Sequence, residues 1–519
     1  MGASATFIAR EISGETVWEI QLPDLETTAC LAEIVARELK PGDLVTLVGD
    51  LGAGKTTLAR AIIRTLAKTP DLEVPSPTFT ILQHYETSRG QVIHADFYRL
   101  SDPSDLIELD WEDISETGIS LVEWADKMTG GLNTTRMEIV LHLDAGTGAR
   151  TAYVVGRGAF SQRVNMMAAV YNLLHNTQWE DAERVPVHGD ASTRLYERLV
   201  RADGVTAILM ISPPRPDGPP VRYGRSYSSI AKLAESVHAF VAVGRGLAAL
   251  GLSAPRIYLK DLTTGLLVVE DLGNEPIIRD GEPIPTRYQE AVRVLTKIHR
   301  MDLPKTLPIT SSSEYTLPVY DVDAMCAETE LLLNWYIPYI RGYEVPGSSR
   351  AEFTHLWARA LRPILEESVT WTLRDYHSPN LLWLEKREGL QRIGLIDFQD
   401  AVFGPPAYDL VSLLQDARVT VPAEMEIRLL AFYGHERHAT DPDFDFRSFA
   451  ETYAVMGAQR ATKILGIFAR LDKRDGKPQY LQHIPRLEAY LVRNLEHPAL
   501  SGLKKWYINN MPHLFETLS

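Results

Sequence analysis

The chain has only two cysteines, Cys30 and Cys326, in 519 residues. Two distant thiols make neither a disulfide framework nor a Cys-based zinc site, so reduced thiols are the default reading. Positive charge is also in deficit: 53 Lys and Arg face 68 Asp and Glu, a formal net charge of −15. That balance argues against a large sequence-independent grip on a nucleic-acid backbone, which needs clustered cations. No apolar run approaches the roughly 20 residues of a membrane helix. The N-terminus, MGASATFIAREISGE, lacks the basic-then-apolar order of a secretion signal. Gly2 and Thr6 fit the short myristoylation pattern, a pattern common enough to arise by chance. Internal repeats and long low-complexity tracts are missing too. These absences leave a globular chain, expected in the cytoplasm with no membrane partner. Its 45% hydrophobic residues suffice for a core in each folding unit.

At about 150 residues per domain, the length predicts three to four such units. The first 156 residues read as α/β. LETTACLAEIVARELK has helical apolar spacing, while LVTLVG, VIHADFY and ISLVEW read as buried strands. RMEIVLHLDAGTGARTAYVVG reads as two strands joined by a Gly-containing turn, which closes a mainly parallel sheet with a hairpin. The boundary is expected near residues 157–165, giving domains 1–160, 161–272 and 273–519. The second begins with a linker helix, MMAAVYNLLHNTQW, and turns strand-rich from about residue 183. The third is mostly helical. A strand-rich lobe followed by a helical lobe is the order of a kinase-like fold.

GDLGAGKT at Gly49–Thr56 fits G-x-x-x-x-G-K-[ST], after an apolar strand and at the start of a helix. That is the context the motif requires. Gly49, Gly52, Ala53 and Gly54 let backbone N–H groups turn inward around a phosphate, and the helix N-terminus adds positive potential. Lys55 is placed to reach the β- and γ-phosphates of ATP, Thr56 to ligate Mg²⁺, and Thr57 to complete the loop. Such a site also needs a carboxylate for the metal and a group to position water. Asp96 and Glu123 each follow a buried-type strand and are the candidates. PSPTFT at Pro75–Thr80 is a hydroxyl-rich loop able to sense a γ-phosphate.

GDLGAGKTT, SPTFT, HADFYRL and LVEWAD, in this order and spacing, resemble the TsaE family, the small ATPases of bacterial threonylcarbamoyl-adenosine tRNA modification. The likeness spans residues 20–156 and departs from none of the core motifs. It implies that Thr56 and Glu123 bind Mg²⁺, that Asp96 is needed for hydrolysis, that Thr78 lies in a nucleotide-responsive loop, and that Trp124 sits beside the nucleotide. It also implies partners like the TsaB–TsaD pair, with tRNA met only indirectly, in keeping with the acidic charge.

A second phosphate-handling vocabulary lies more than three hundred residues on. LRDYHSPNLLWL places Asp375 five residues before Asn380, and LIDFQDA ends an apolar strand with Asp397. Phosphoryl transfer to a hydroxyl needs a base beside that hydroxyl and oxygens on Mg²⁺. The spacing therefore marks Asp375 as the base and Asn380 and Asp397 as metal ligands. HSPN in place of a lysine-containing loop favours small-molecule kinases over protein kinases. GDASTRLYERL at Gly189–Leu199 is the candidate phosphate-covering hairpin, and Glu270 in VVEDLG marks the candidate adenine hinge. The usual strand lysine is absent: Met210 stands near its expected place, with Lys232 or Arg222 as weak substitutes. Trp335 and Tyr336 in NWYIPY offer rings for a sugar face, although such helical rings more often fill a core, and Asp400 is a candidate substrate contact or a surface acid. Asp409 is expected to hold the catalytic loop; His377 is placed either to orient Asp375 or merely to fill space.

GDASTRLYERL, VEDLG, ELLLNWYIPY, RDYHSPNLL, IDFQDAVFGPPAYDLVSLLQDAR and MGAQRATKILGIFARL resemble the AmgK branch of aminoglycoside-phosphotransferase-like kinases, over residues 183–505. The resemblance implies phosphorylation of the anomeric hydroxyl of N-acetylmuramate or N-acetylglucosamine in cell-wall recycling. The fold expectation is thus an α/β P-loop NTPase domain followed by a two-lobed α+β protein-kinase-like domain. Two other readings stay open here: a nucleotide-switch assembly protein whose kinase-like half only binds, and a kinase for another small alcohol such as an aminoglycoside.

Overall fold

The computed structural model describes residues 7–12, 15–102, 104–128, 132–187, 194–214, 217–367 and 369–516. The myristoylation residues Gly2 and Thr6, and the Gly189–Thr193 part of the candidate phosphate hairpin, lie outside them. The chain forms two compact units, Met1–Asp181 and Ala182–Ser519.

The first unit is built on eight strands: β1 (Phe7–Ile12), β2 (Glu15–Gln21), β3 (Leu44–Val48), β4 (Leu82–Thr87), β5 (Gly90–Asp96), β6 (Ile119–Glu123), β7 (Arg136–Leu143) and β8 (Arg150–Arg157). Their order in the sheet is β1-β2-β8-β7-β3-β6-β5-β4. β3, β5, β6 and β7 run parallel, and the remaining pairs are antiparallel. Successive side chains of a strand point to opposite faces, and the core divides accordingly. Val45, Leu47 and Leu121 join one apolar cluster, while Leu44, Ile93 and Val122 join another with Phe97 and Trp111. Helices α1 (Leu25–Glu38) and α2 (Lys55–Ala67) bury their apolar stripes in the first cluster. Asp24 caps α1 by accepting from the Thr27 amide at 2.8 Å, and the Thr27 hydroxyl answers the cap.

Helix α3 (Phe160–Leu174) corrects the expected boundary. It is not a linker to the second half. Phe160, Val164, Met167 and Ala168 pack into the first unit's core. Arg163 grips Asp43 with both nitrogens, at 2.7 and 2.8 Å. Gly156 and Gly158 read as a domain break, but they serve a tight strand-to-helix turn. A Cβ on Gly156 would lie 2.5 Å from the Phe160 carbonyl oxygen, so only glycine permits this close return.

The second unit begins with an antiparallel sheet of five strands: β9 (Glu183–Val187), β10 (Leu195–Val200), β11 (Thr206–Ile211), β12 (Ile257–Asp261) and β13 (Leu266–Glu270), in the order β12-β13-β11-β10-β9. Helix α4 (Val237–Ala249) packs in the same core as Met210. A helical part follows, with α5 (Pro285–His299), α6 (Val322–Leu331), α7 (Ala407–Leu414) and the long α8 (Phe446–Asp475). Four three-residue strands frame its centre: β14 (Thr370–Thr372), β15 (Leu381–Trp383), β16 (Ile393–Leu395) and β17 (Val402–Gly404). β14 pairs with β17 and β15 with β16, both antiparallel. Among the described residues, no helix is long and apolar enough to cross a membrane.

Candidate active sites

In the first unit, β3 leads into the glycine loop, and the loop opens α2. Gly49, Gly52 and Gly54 have φ of +148°, +83° and +110°, conformations that favour glycine. A Cβ on Gly52 would meet nothing within 4 Å, so the loop opens onto free space. Lys55 folds back over this loop. Its Nζ donates to the Gly49 carbonyl at 2.6 Å and the Asp50 carbonyl at 2.9 Å, and lies 3.7 Å from the Trp124 ring centre. Burial pushes the ammonium below its ordinary value, against the pull of Glu123 and Asp96.

β5 and β6 end side by side, with Asp96 in register with Glu123. Both acids are buried. The Thr56 hydroxyl donates to Glu123 Oε2 at 2.8 Å, and His94 Nε2 meets Glu123 Oε1 at 2.9 Å. Asp96 accepts from the Thr78 hydroxyl at 2.6 Å and from the Tyr98 amide at 2.9 Å. Thus the loop around Thr78, the helix start at Thr56 and two strand ends meet at one place. Trp124, next to Glu123, has φ +57°, and Ile81, after the Thr78 loop, has φ +67°. Non-glycine residues hold such angles at a cost and cluster at functional sites.

In the second unit a cavity of about 790 Å³ is lined by Arg194, Glu270, Asp375, Asn380, Asp397 and Asp400, among others. Asn380 donates from Nδ2 to the Asp375 carbonyl at 3.0 Å. That fixes the amide and leaves its oxygen as the acceptor. Asp397 Oδ2 lies 3.5 Å from the same nitrogen, and Gln399 Nε2 donates to Asp397 Oδ1 at 2.7 Å. Burial raises the Asp397 carboxyl, and the charge of Asp375 raises it further; burial also raises Asp400. Burial pushes Asp375 up as well, but His377, Lys463, Arg374 and Arg460 outweigh it and hold it below the ordinary value. It is therefore ionised and ready to accept a proton.

Two buried acids, one on α7 and one just past its end, clamp the loop. Asp409 on α7 accepts from the backbone amides of Leu373 and Arg374 at 2.6 and 2.8 Å. Asp416 accepts from the Ser378 amide at 2.9 Å and its hydroxyl at 2.6 Å. Arg374 and Asp397 carry φ of +67° and +57°, so this site too is built on left-handed non-glycine backbone.

Comparison with known proteins decides the family. The profile of the threonylcarbamoyl adenosine biosynthesis protein TsaE matches residues 22–151, and that of the phosphotransferase enzyme family matches residues 183–449. An N-acetylmuramate/N-acetylglucosamine kinase of Caulobacter vibrioides is 39% identical over 344 residues, 64% of this chain and 93% of that protein. Its counterpart in Pseudomonas aeruginosa is 31% identical over 314 residues, 60% of this chain and 83% of that one. A tRNA threonylcarbamoyladenosine biosynthesis protein TsaE of Rickettsia felis is 39% identical over 118 residues, 23% of this chain and 68% of that protein. This chain belongs to the TsaE family in its first unit and to the phosphotransferase enzyme family in its second. The protein is an ATP-using enzyme, and both families use ATP with Mg²⁺.

The residues fit those groups. In the TsaE unit, a hydroxyl and a carboxylate at 2.8 Å form a hard oxygen pair suited to Mg²⁺, beside a glycine cradle with open space above it. In the phosphotransferase unit, Asp397 and the free amide oxygen of Asn380 form the equivalent pair. Crowding among Asp375, Asp397 and Asp400 is what a divalent cation would relieve.

Two sequence expectations fail in the phosphotransferase unit. Tyr336 is fully buried and its hydroxyl bonds Glu488; Trp335 packs against the apolar core; neither lines the cavity. Helical segments rich in rings fill cores for the same reason that they attract attention. Lys232 is paired with Asp321 at 3.2 Å and Arg222 with Glu330, so neither replaces the strand lysine. Met210 occupies that place as a core residue. The cations that face the cavity, among the described residues, are Arg194, Arg198 and Arg418. Arg194 reaches Asp397 Oδ1 at 3.4 Å, and Arg198 donates to Asp271 Oδ2 at 2.6 Å. Sequence reading passed over them; the signal was their place on and beside β10, one strand over from Met210. Glu270 lines the cavity from the end of β13, its carboxylate taken by Arg387 at 2.8 Å. Asp400 also lines it and accepts from the Ala234 amide at 2.6 Å. His377 Nε2 stands 4.0 Å from Asp375 Oδ1.

Proposed function

We propose that the protein is bifunctional. Its TsaE unit hydrolyses ATP in support of threonylcarbamoyl modification of tRNA adenosine, alongside TsaB- and TsaD-like proteins, in the cytoplasm. Its phosphotransferase unit moves the γ-phosphoryl group of ATP to the anomeric hydroxyl of N-acetylmuramate or N-acetylglucosamine. The names of the relatives support both halves.

The observation that carries the kinase half is the meeting of Asp375, Asn380 and Asp397 on one cavity. Asp375 accepts the hydroxyl proton as the oxygen attacks. Asn380 and Asp397 would hold Mg²⁺, which neutralises charge developing on the transferred group. In the TsaE unit Thr56 and Glu123 would hold the metal, Lys55 the β- and γ-phosphates, and Asp96, tied to Thr78, would position water. The glycines Gly49, Gly52 and Gly54, with Ala53 and Thr57, shape the cradle, and Trp124 faces the lysine.

The absent strand lysine favours a second reading, in which the kinase-like half only binds; Arg194 beside Asp397 weighs against it. Incubation of the full chain with labelled ATP and a set of N-acetyl sugars tests the choice. Label on the reducing carbon, lost when that hydroxyl is blocked as a methyl glycoside and lost in Asp375→Asn, supports the kinase. Tight MgATP binding without transfer to any sugar overturns it.

A further inference from the structure

A triphosphate brings dense negative charge into the site that binds it, and in a kinase the metal bridges its β- and γ-phosphates. A cation that steadies those phosphates must therefore stand beside the metal ligands. In the phosphotransferase unit the strand position that could supply one holds Met210, which is buried in the apolar core. The countercharge has to come from elsewhere on the cavity wall. Among the described residues, the Lys and Arg side chains on that wall are Arg194, Arg198 and Arg418. Arg198 closes on Asp271, just past the end of β13, with two nitrogens at 2.6 and 3.4 Å. Arg418 lies over the Tyr480 ring, 5.8 Å from its centre, and its backbone amide donates to Asp416 at 2.8 Å. Arg194 alone of the three has a recorded contact with a metal candidate: its Nη1 is 3.4 Å from Asp397 Oδ1.

The sheet explains how Arg194 comes to be there. Strand residues two apart share a face. Arg194, just before β10, alternates with Tyr196 and Arg198, and all three line the cavity, as Met210 does from β11. Tyr196 pairs with Met210 across the two strands. Arg194 therefore stands one strand over from Met210 and one step further along the same face, at the end that meets Asp397. Its hold on Asp397 is loose. The same carboxylate oxygen takes the Gln399 amide at 2.7 Å, so Gln399 positions the acid and Arg194 is not needed for that. A guanidinium at 3.4 Å can exchange this oxygen for a phosphate oxygen while it stays beside the metal ligand. Its planar fork presents two parallel donors to a phosphate.

We propose that Arg194 is the cation on the β- and γ-phosphates of ATP in the phosphotransferase unit, in place of a strand lysine. The inference rests on the kinase reading above and adds the residue that lets the unit hold a triphosphate with methionine on β11. Arg194 then acts on the nucleotide and not on the acceptor sugar, and it bears on the phosphates and not on the base.

The test is made on the full chain carrying Lys55→Met, which weakens the nucleotide site of the TsaE unit. Calorimetry with Mg²⁺ and the non-hydrolysable β,γ-imido analogue of ATP reads the whole nucleotide; calorimetry with adenosine reads base and ribose only. Arg194→Gln is expected to weaken the analogue at least about tenfold and to leave adenosine within about twofold. In sugar phosphorylation it is expected to raise KM for ATP and leave KM for the sugar unchanged. Arg194→Lys is expected to recover part of the analogue's affinity. A smaller loss for the analogue would overturn the assignment. So would an equal loss for adenosine, which would make Arg194 a support of the fold. Binding of the analogue by the chain with Arg194 intact, without transfer to any N-acetyl sugar, would overturn the sugar reading and leave the phosphate contact to the binding data. Binding of neither probe would overturn both.

Discussion

Lys55 offers the sharpest test of the nucleotide site in the TsaE unit, because the structure states what the lysine gives up when it binds. Its ammonium holds the Gly49 and Asp50 carbonyls and faces the Trp124 ring. Hydrogen bonds to a charged donor contribute about 1.5–3 kcal/mol each where the groups are buried. In Lys55→Met both are lost. Asp50 is exposed and Gly49 half-buried, so water takes over much of the role, and the unit should lose only about 1–2 kcal/mol of stability. Nucleotide affinity should fall further. The triphosphate loses its one intramolecular countercharge from the loop, and two charge-assisted bonds net of the carbonyl bonds they replace amount to about 2–4 kcal/mol, or roughly 30- to 1000-fold in Kd. Titration with MgATP, followed by tryptophan fluorescence, measures the affinity. Trp124→Phe identifies the reporting ring, since the lysine must leave it on binding. Urea unfolding measures the stability. MgATP affinity within threefold of the unsubstituted protein would refute the reasoning, as would a stability loss larger than the affinity loss. Lys55 would then be a pin for its own loop.

Two further outcomes concern the phosphotransferase unit. His299 is buried against the Tyr433 hydroxyl at 2.9 Å, and burial, with Arg437 nearby, lowers it to about 3. The unfolded chain takes up the proton near pH 6.5 and the folded chain does not. The stability is therefore complete above pH 6.5 and declines as pH falls toward 3. At pH 5 the loss is about 2 kcal/mol. His299→Gln should flatten that part of the urea-midpoint profile between pH 7 and pH 5, and an unchanged slope would count against it. Glu328 is sealed from solvent and receives Arg374, Lys463, Gln459 and Tyr320. Burial alone would raise its carboxyl, but Lys463 and Arg374 hold it low. Glu328→Gln leaves two buried cations short of an anion and should cost about 3–5 kcal/mol. Because Arg374 precedes the base, sugar phosphorylation should fall with it; adding Lys463→Met should recover part of the thermal midpoint.

What could be read from the sequence was local. Gly49–Thr56, the strand-end acids Asp96 and Glu123, and the Asp375–Asn380 spacing each lie within a few residues, where backbone geometry dictates side-chain types. Contacts between distant segments were hidden. Gly156 looked like a domain break because nothing nearby announces that Arg163 reaches Asp43. Trp335 and Tyr336 looked like a sugar platform because ring content does not distinguish a cavity wall from a core. Two cations of the kinase cavity were missed because Arg198 lies on, and Arg194 just before, the strand next to the one that usually carries the lysine. Asp416 was within reach, since it follows Asp409 by seven residues, just past the end of α7, and returns to the same loop.

Helix α3 has a practical bearing on how the two halves can be parted. It covers the sheet of the TsaE unit with Phe160, Val164 and Met167, over a face that includes Trp18 and Ile20. A TsaE half severed at residue 160 would surrender that lid and present bare apolar sheet to water, an invitation to aggregate. Severed after Asp181 instead, it would keep its core entire. The helix therefore travels with the ATPase half, and a cut that spares both cores falls in the short run that follows it.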